Sequence, residues 1–309
     1  MEMAWILLRQ VLTMFLLVGL GYALFRGKKI SAEGSKTLGN ILIYLVLPCV
    51  IINSFRITRT PEHVQGLLIS AAGAAVLLTL SMLISRLLFH RDPIAHFASS
   101  FSNPGFFGIP LITATLGQGA VFYVAFFIAF LNILQWTYGV SLMNHQPLRE
   151  GLSFRKLIRA PFVIAMLIGL ILFAAQPALP EIMTNCMTSV ASLNTPLSMF
   201  TIGVYLAQTD LPGMLRRKTN YFVSLSRLVL IPLAALLLLS LLPASLNQLR
   251  LALLLAVSCP VGANVAVYAQ LHRQDYTYAV ETVVMSTLFS IITIPAAAAL
   301  AGALWSFAP

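Results

Sequence analysis

Charged side chains are scarce in this sequence, and acidic ones are the scarcest. Asp, Glu, Lys and Arg make up 9% of the 309 residues, only 9 residues are acidic, and 59% are hydrophobic. Soluble domains carry about 25% charged residues. A soluble fold of this length could not bury so much apolar surface, so the composition predicts a protein that crosses the membrane several times.

Cysteine and the common catalytic motifs are also nearly absent. The three cysteines, Cys49, Cys186 and Cys259, lie in apolar runs without metal-ligand spacing, so we expect neither structural disulfides nor a metal site. The sequence contains no nucleophile elbow and no phosphate-binding Walker loop. We therefore predict that the protein is not an enzyme and needs no cofactor.

The basic residues lie in short clusters between apolar runs. This placement makes the net charge of +10 a membrane topology signal and not the mark of a nucleic-acid surface. Ten runs approach the roughly 20 residues that a membrane-spanning helix needs. They are residues 4–25, 37–55, 66–89, 97–116, 120–142, 160–175, 182–207, 221–242, 249–271 and 276–305. The last run contains Pro295, where we expect its helix to bend or end.

The loops between these runs alternate in charge. The odd-numbered loops hold 14 Lys and Arg residues, whereas the even-numbered loops hold only Arg56, Arg59 and Arg250. The positive-inside rule therefore places the odd loops in the cytoplasm and both termini on the extracytoplasmic side.

Proline breaks two of the runs in matching places of the two halves. The breaks are residues 102–104 (Ser-Asn-Pro) and 258–260 (Ser-Cys-Pro). Proline removes a backbone hydrogen bond from a helix, and we expect Ser102 and Ser258 to satisfy freed carbonyls. Freed backbone groups at membrane depth persist only inside protein or beside a cavity, so the paired breaks indicate a transport site.

The halves also match at Pro48 and Pro196, with an offset of about 150 residues. Because each half holds five spans, an odd number, the halves must enter the membrane from opposite sides. The sequence thus predicts an all-α polytopic membrane protein with ten transmembrane helices, built as a 5+5 inverted repeat with crossed, broken helices 4 and 9. The repeats are residues 1–143 and 160–309, and residues 144–159 form a cytoplasmic linker. The half-helices that begin where helices 4 and 9 cross direct the positive ends of their dipoles toward the crossing. This favours the binding of a carboxylate there.

Three motifs resemble those of the auxin efflux carrier family in its bacterial branch. They are Asn103 with residues 108–111 (Gly-Ile-Pro-Leu), residues 260–264 (Pro-Val-Gly-Ala-Asn), and residues 286–295 (Ser-Thr-Leu-Phe-Ser-Ile-Ile-Thr-Ile-Pro). The resemblance covers essentially the whole chain. It implies a scaffold of spans 1, 2, 6 and 7, often dimeric, a mobile unit of spans 3–5 and 8–10, and a bacterial inner-membrane location. Family members move organic anions, among them auxin in plants and malonate-like acids in bacteria.

The resemblance also implies a role for Asn103. In the plant carriers an asparagine at the first crossover helps to bind the substrate carboxylate, and Asn103 matches it, although its proline follows instead of preceding. The plant carriers have no asparagine at the place of Asn264, and their large cytoplasmic loop is absent here. We therefore do not expect the plant substrate specificity.

The substrate site is assigned to the two breaks and to a polar stripe on the fifth span. Asn103 caps a half-helix, contacts the substrate, or does both, and Asn264 contacts the substrate or makes a helix-packing hydrogen bond. The stripe of Asn132, Gln135 and Tyr138 lines a cavity or bonds a neighbouring helix. The predicted substrate-binding residues are Asn103, Pro104, Gly105, Asn132, Gln135, Pro260, Gly262 and Asn264.

Two ionisable residues inside predicted spans are candidates for ion coupling. Glu281 either carries a proton or cation or pairs with a basic residue. Arg227 either snorkels to the cytoplasmic interface, the favoured interpretation, or pairs with Glu281 or with a substrate carboxylate.

The sequence therefore predicts a secondary transporter that moves a small organic anion by alternating access. One alternative is a sodium- or proton-coupled carrier or antiporter of the same architecture, which the lack of carboxylates at the breaks disfavours. Another is a membrane sensor that binds a ligand without moving it, which the lack of a soluble signalling domain disfavours.

Overall fold

The regular structure of the protein is helical. A computed structural model describes residues 2–144 and 160–305, and these two stretches contain no strand, only an isolated bridge between two residues. This agrees with the predicted all-α class. The predicted linker lies outside the described residues, apart from Asn144.

Thirteen helices follow one another along the described chain, and several of them change locally to a wider or tighter turn. They are α1 (Glu2–Arg26), α2 (Glu33–Ser54), α3 (Pro61–Phe89), α4 (Pro93–Ser100), α5 (Pro104–Leu116), α6 (Gln118–Asn144), α7 (Pro161–Ala175), α8 (Glu181–Gln208), α9 (Leu211–Arg216), α10 (Lys218–Leu239), α11 (Ala244–Val257), α12 (Asn264–Leu271) and α13 (Tyr276–Trp305).

Seven of these helices are long and apolar enough to cross a membrane, namely α1, α2, α3, α6, α8, α10 and α13. Three shorter apolar helices are α5, α7 and α11. Two predicted spans are interrupted, because helix stops after Ser100 and resumes at Pro104, and stops after Val257 and resumes at Asn264. By contrast, α13 continues through Pro295 to Trp305 and does not end there.

Proline also explains most of the places where a helix widens into a π turn. The four π turns are Leu42–Val46, Pro104–Gly108, Gln135–Gly139 and Ser226–Leu230. Three of them end two residues before a proline, at Pro48, Pro110 and Pro232. A proline ring clashes with the carbonyl four residues earlier and offers it no N–H. In all three cases that carbonyl lies within the π turn, so the wider turn relieves the clash.

Helix α1 packs closely along the second half of α8. A Cβ atom at Gly203 would overlap the Val18 carbonyl oxygen, and a Cβ atom at Gly21 would lie 2.5 Å from the Phe200 carbonyl oxygen. The missing side chains let the two backbones meet, as small residues commonly do between membrane helices. Gly19, two residues before Gly21, has no atom within 4 Å of its Cβ position.

We predict that Gly203→Ala destabilises the protein by about 1–3 kcal/mol, because the added methyl group forces α1 and α8 apart. Gly19→Ala is the matched control. It should leave stability unchanged or raise it by up to about 1 kcal/mol, since alanine favours helix over glycine. Thermal unfolding of the detergent-purified variants measures both effects, and equal melting temperatures for the two would contradict the close contact.

Candidate functional site

The two helix breaks lie against each other. Ser102 and Val261 form an antiparallel bridge, and the Gly262 N–H donates to the Phe101 carbonyl oxygen at 2.9 Å. The Val261 N–H donates to the Ser286 hydroxyl of α13 at 3.0 Å. Backbone groups freed by one break are thus paired by the other break and by α13.

This pairing requires glycine at position 262. A Cβ atom there would lie 2.9 Å from the Ser102 carbonyl oxygen and 3.3 Å from that of Phe101. Gly105 is different, since its Cβ position meets only the Leu47 side chain at an ordinary 3.6 Å. Of the two predicted glycines, Gly262 is therefore the one that the contact between the breaks requires.

Four helix ends meet at the breaks. Helices α4 and α11 end there with their carbonyl groups, while α5 and α12 begin there with their amide groups. A helix end carries roughly half an elementary charge, negative at the carbonyl end and positive at the amide end. Two ends of each sign consequently lie close together inside the protein.

Arg227 binds both carbonyl ends. Its Nη1 donates to the carbonyl oxygens of Ser99 at 2.9 Å and Ser100 at 3.2 Å, and its Nη2 donates to that of Val257. The side chain is fully buried, and in the described part of the chain no carboxylate forms an ion pair with it. The favoured prediction of snorkelling is therefore wrong, because the helix ends offer this cation partners inside the protein.

Glu281 does not pair with Arg227 either. Its carboxylate lies 3.3 Å from Nε of Arg217 and accepts a hydrogen bond from the Asn220 amide at 3.1 Å. Arg217 also contacts Asp275 at 3.2 Å. The prediction that Glu281 pairs with a basic residue is thus confirmed, with Arg217 as the partner at the start of α10.

Neutral side chains lie at both amide ends, but only the one at α5 caps its helix. The Asn103 side-chain oxygen accepts from the Phe106 N–H at 3.3 Å, so this residue caps α5. At the start of α12, the Asn264 amide donates to the Gln135 side-chain oxygen at 2.8 Å. Asn264 thus makes a helix-packing hydrogen bond, and this bond brings α6 to the breaks.

The polar stripe on α6 divides into three different contacts. Gln135 reaches the breaks, and its Nε2 lies 3.5 Å from the Cβ position of Gly262. Tyr138 bonds to His96 of α4 at 2.9 Å. Asn132 instead donates to the Ile128 carbonyl of its own helix at 2.7 Å. Of the two predicted binding residues on this stripe, the structure brings only Gln135 to the breaks.

Three buried polar atoms around the breaks have no hydrogen-bond partner among the described residues. They are the hydroxyl oxygens of Ser102 and Ser258 and Nε2 of Gln135. The two serines therefore do not bond freed carbonyls, contrary to the prediction. Leaving such groups unpaired costs about 1–3 kcal/mol each. All three can donate a hydrogen bond, so the arrangement can recognise an acceptor such as a carboxylate.

A cavity of about 290 Å³ lies between α1, α2, α5, α8 and the start of α6, and its lining on α5 begins at Ile109, five residues after Pro104 of the first break. Asn194 connects the two places, because it lines the cavity while its amide donates to the Gly105 carbonyl at 3.1 Å. Among the described residues, no charged side chain lines this cavity. Its polar lining residues are Gln10, Thr113, Gln118, Thr188, Ser192, Asn194 and Thr195.

Sequence reasoning missed the contact of α8 with the first break. The Ser198 hydroxyl donates to the Phe106 carbonyl at 3.0 Å, one helical turn after Asn194. The polar residues Asn194 and Thr195 beside Pro196 indicate a cavity wall from the sequence alone, and both line the cavity. Ser198 was missed, although a polar side chain in an apolar helix needs a partner.

Comparisons with known proteins point to membrane transport. A family model described as "Membrane transport protein" matches residues 6–297. A protein of Rhizobium meliloti (strain 1021) with the name "Putative malonate transporter" is 28% identical over 303 residues, which span 92% of this chain and 92% of that protein. The family match includes both helix breaks.

We predict that Arg227→Met destabilises the protein by at least about 3 kcal/mol, because three buried carbonyl groups lose a charged donor. Arg227→Lys should lie in between, since it keeps the charge but loses the forked geometry. Arg216→Met, which removes an exposed arginine, should change stability by less than about 0.5 kcal/mol. Thermal unfolding compares the three variants, and an Arg227→Met protein as stable as Arg216→Met would refute the role.

Proposed function

Because this chain belongs to the membrane transport protein family, which is that of the auxin efflux carriers, we propose that it is a secondary transporter for a small organic anion. The substrate is a carboxylate that binds at the paired breaks and crosses the membrane by alternating access. Asn103, Gln135 and Asn264 recognise it together with the backbone around Pro104, Gly105, Pro260 and Gly262.

The observation that carries this proposal is that, in the described part of the chain, the two carbonyl ends have a charged partner and the two amide ends do not. Arg227 offsets the two carbonyl ends, whereas the amide end of α5 is capped by the neutral Asn103 and, among the described residues, no side chain caps the amide end of α12. Two amide ends of roughly half a charge each amount to about one positive charge. This charge matches one carboxylate group of a substrate without a basic side chain besides Arg227 at the breaks.

The unpaired donors support the same substrate class. Gln135 Nε2 and the hydroxyls of Ser102 and Ser258 are buried beside these amide ends. A hydrogen bond to a charged group contributes about 1.5–3 kcal/mol, roughly twice a neutral one. A carboxylate would satisfy donors that otherwise stay unpaired.

Malonate is the substrate that we propose to test first. The Rhizobium meliloti relative carries malonate in its name. The cavity of about 290 Å³ that begins at Ile109 has room for a small dicarboxylate, and we propose it as the approach to the first break, because its neutral polar lining holds no fixed positive charge that would trap an anion.

We propose an architecture of ten spans in a 5+5 inverted repeat. Helices α1, α2, α7 and α8 form the scaffold unit, through which two copies associate, and α3–α6 with α10–α13 form the transport unit. The odd-numbered loops lie in the cytoplasm of a bacterial inner membrane. The support for this arrangement is the alternation of loop charge and the position of one break in each half of the chain.

A proton-coupled carrier is the second candidate. Glu281 is only 4% exposed within α13, and a carrier of this kind would release it from Arg217 and Asn220 as it takes up a proton during the cycle. Malonate uptake driven by an imposed pH gradient, and lost in Glu281→Gln, would support this coupling. Uptake that depends instead on a sodium gradient would support sodium coupling.

We predict that Gln135→Leu raises the KM for malonate uptake into proteoliposomes about 10- to 100-fold, because a buried donor to the carboxylate is lost. Asn132→Leu is the matched control. It lies on the same stripe, one turn earlier, and bonds only to its own helix, so its KM should stay within about twofold. Equal KM values for the two variants would contradict the assignment of Gln135.

Flux and binding separate the transporter from the alternatives. Malonate should raise the melting temperature of the purified protein and should also exchange across the proteoliposome membrane. Thermal stabilisation without exchange would identify a sensor. If a panel of organic acids produced neither effect, the proposed substrate class would be wrong.

A further inference from the structure

Pro110 removes from α5 the N–H that would reach the Phe106 carbonyl in an α turn or the Gly105 carbonyl in a π turn. In a continuous helix the Phe106 carbonyl would accept from residue 110, four positions later, but residue 110 is proline and has no N–H. The Gly105 carbonyl lies five positions before the same proline, so a π turn cannot supply it from there either. Buried carbonyls of this kind need an outside donor.

Helix α8 supplies both donors. Asn194 Nδ2 donates to the Gly105 carbonyl at 3.1 Å, and the Ser198 hydroxyl donates to the Phe106 carbonyl at 3.0 Å. The two side chains lie four residues apart on one helix face, and both are buried. The gap that Pro110 creates in α5 is therefore filled by α8.

These two hydrogen bonds connect the scaffold unit with the transport unit, a division that rests on the proposed function. The other side-chain hydrogen bonds that join distant helices between described residues stay within one unit. Gln248 to Leu116 and Gln274 to Met143 lie in the transport unit, and Gln176 to Ile57 lies in the scaffold unit.

The contact is built so that it can open. The Ser198 hydroxyl has a single hydrogen and a second acceptor within reach, the Thr195 carbonyl of its own helix at 3.1 Å. When α5 moves away, this hydrogen keeps a partner. Asn194 faces the cavity beside α5, and its Oδ1 has no partner in the described structure. Neither donor is charged, so separation leaves no buried ion behind.

We propose that Asn194 and Ser198 form a releasable latch between α8 and the first turn of α5. The latch is defined by these two residues and by the carbonyl groups of Gly105 and Phe106. It positions the turn that Asn103 caps, holds the transport unit in the present conformation, and opens when the unit moves. Asn194 and Ser198 are positioning residues, and their effect reaches the substrate through α5.

The latch can be tested without any substrate by labelling a hidden cysteine. Ile109, directly after the latch turn, is only 4% exposed and lines the cavity beside α8, so Ile109→Cys should react faster with a bulky maleimide when α5 and α8 separate. Cys49 and Cys186 are replaced by serine, and buried Cys259 stays in place. With fast opening and closing, the labelling rate reports the population of the open form.

Ser198→Ala and Asn194→Ala are each expected to raise this labelling rate about fivefold, the effect of losing one neutral hydrogen bond. The matched control is Thr201→Val, one turn further along α8, whose hydroxyl donates only to Leu197 of its own helix. It should label at the parent rate. A merely structural role would lower the melting temperature without changing the labelling rate well below melting.

The effect of Ser198→Ala should also be measured in a protein that carries Pro110→Ala. An alanine N–H at position 110 can bond the Phe106 or the Gly105 carbonyl from within α5, so Ser198→Ala should lose most of its effect there. The latch is refuted if Ser198→Ala labels at the parent rate, if Thr201→Val raises the rate as much, or if Ser198→Ala acts equally with and without Pro110. Because the readout needs no malonate, a failed uptake assay would overturn the proposed substrate and leave this result intact.

Discussion

Backbone groups that a broken helix leaves unpaired must find partners inside the protein, because the hydrocarbon core offers no water to bond them. Each break meets this constraint partly through the other. Gly262 donates to the Phe101 carbonyl, and Val261 turns its own N–H to Ser286. The backbones approach so closely that no Cβ atom fits at position 262. The two halves of the chain therefore depend on each other at their least regular points.

The electrostatics of the site follow from the same geometry. Two carbonyl ends of roughly half a negative charge each are offset by the one guanidinium of Arg227, which carries enough donors to bond three carbonyl groups. Without this side chain, the carbonyl ends would cancel the field of the amide ends beside them. A fully buried arginine without a carboxylate partner is thus compatible with a site for an anion. The guanidinium offsets the negative charge of the carbonyl ends, so the positive charge of the amide ends remains available to an anion.

The sequence predicted the positions of the breaks because a proline acts on its own helix. Helical spacing put Gln135 and Asn132 on one face, but only Gln135 reaches the breaks, whereas Asn132 bonds to its own helix. It could not predict the partners of Arg227, which lie 128 and 30 residues away at Ser99 and Val257. The position of Arg227 along its predicted span favoured snorkelling to the interface. The direction of its side chain, however, depends on the rotation of α10 about its axis and on neighbouring helices, which only the fold defines. The hydroxyls of Ser102 and Ser258 were wrongly assigned to freed carbonyls for the same reason.

The backbone carbonyl groups that the breaks set free accept hydrogen bonds of two different strengths. Within the proposed transport unit, Arg227 bonds them with a charged donor, worth about 1.5–3 kcal/mol for each hydrogen bond. At the boundary with the proposed scaffold unit, Asn194 and Ser198 use neutral donors, worth about 0.5–1.5 kcal/mol each. A body that moves as one piece past its neighbour needs strong internal contacts and weaker contacts at its surface. The chain meets both needs with Arg227 as a charged donor inside the unit and with Asn194 and Ser198 as neutral donors at its edge. The helices can therefore be broken by proline while the protein keeps a defined conformation.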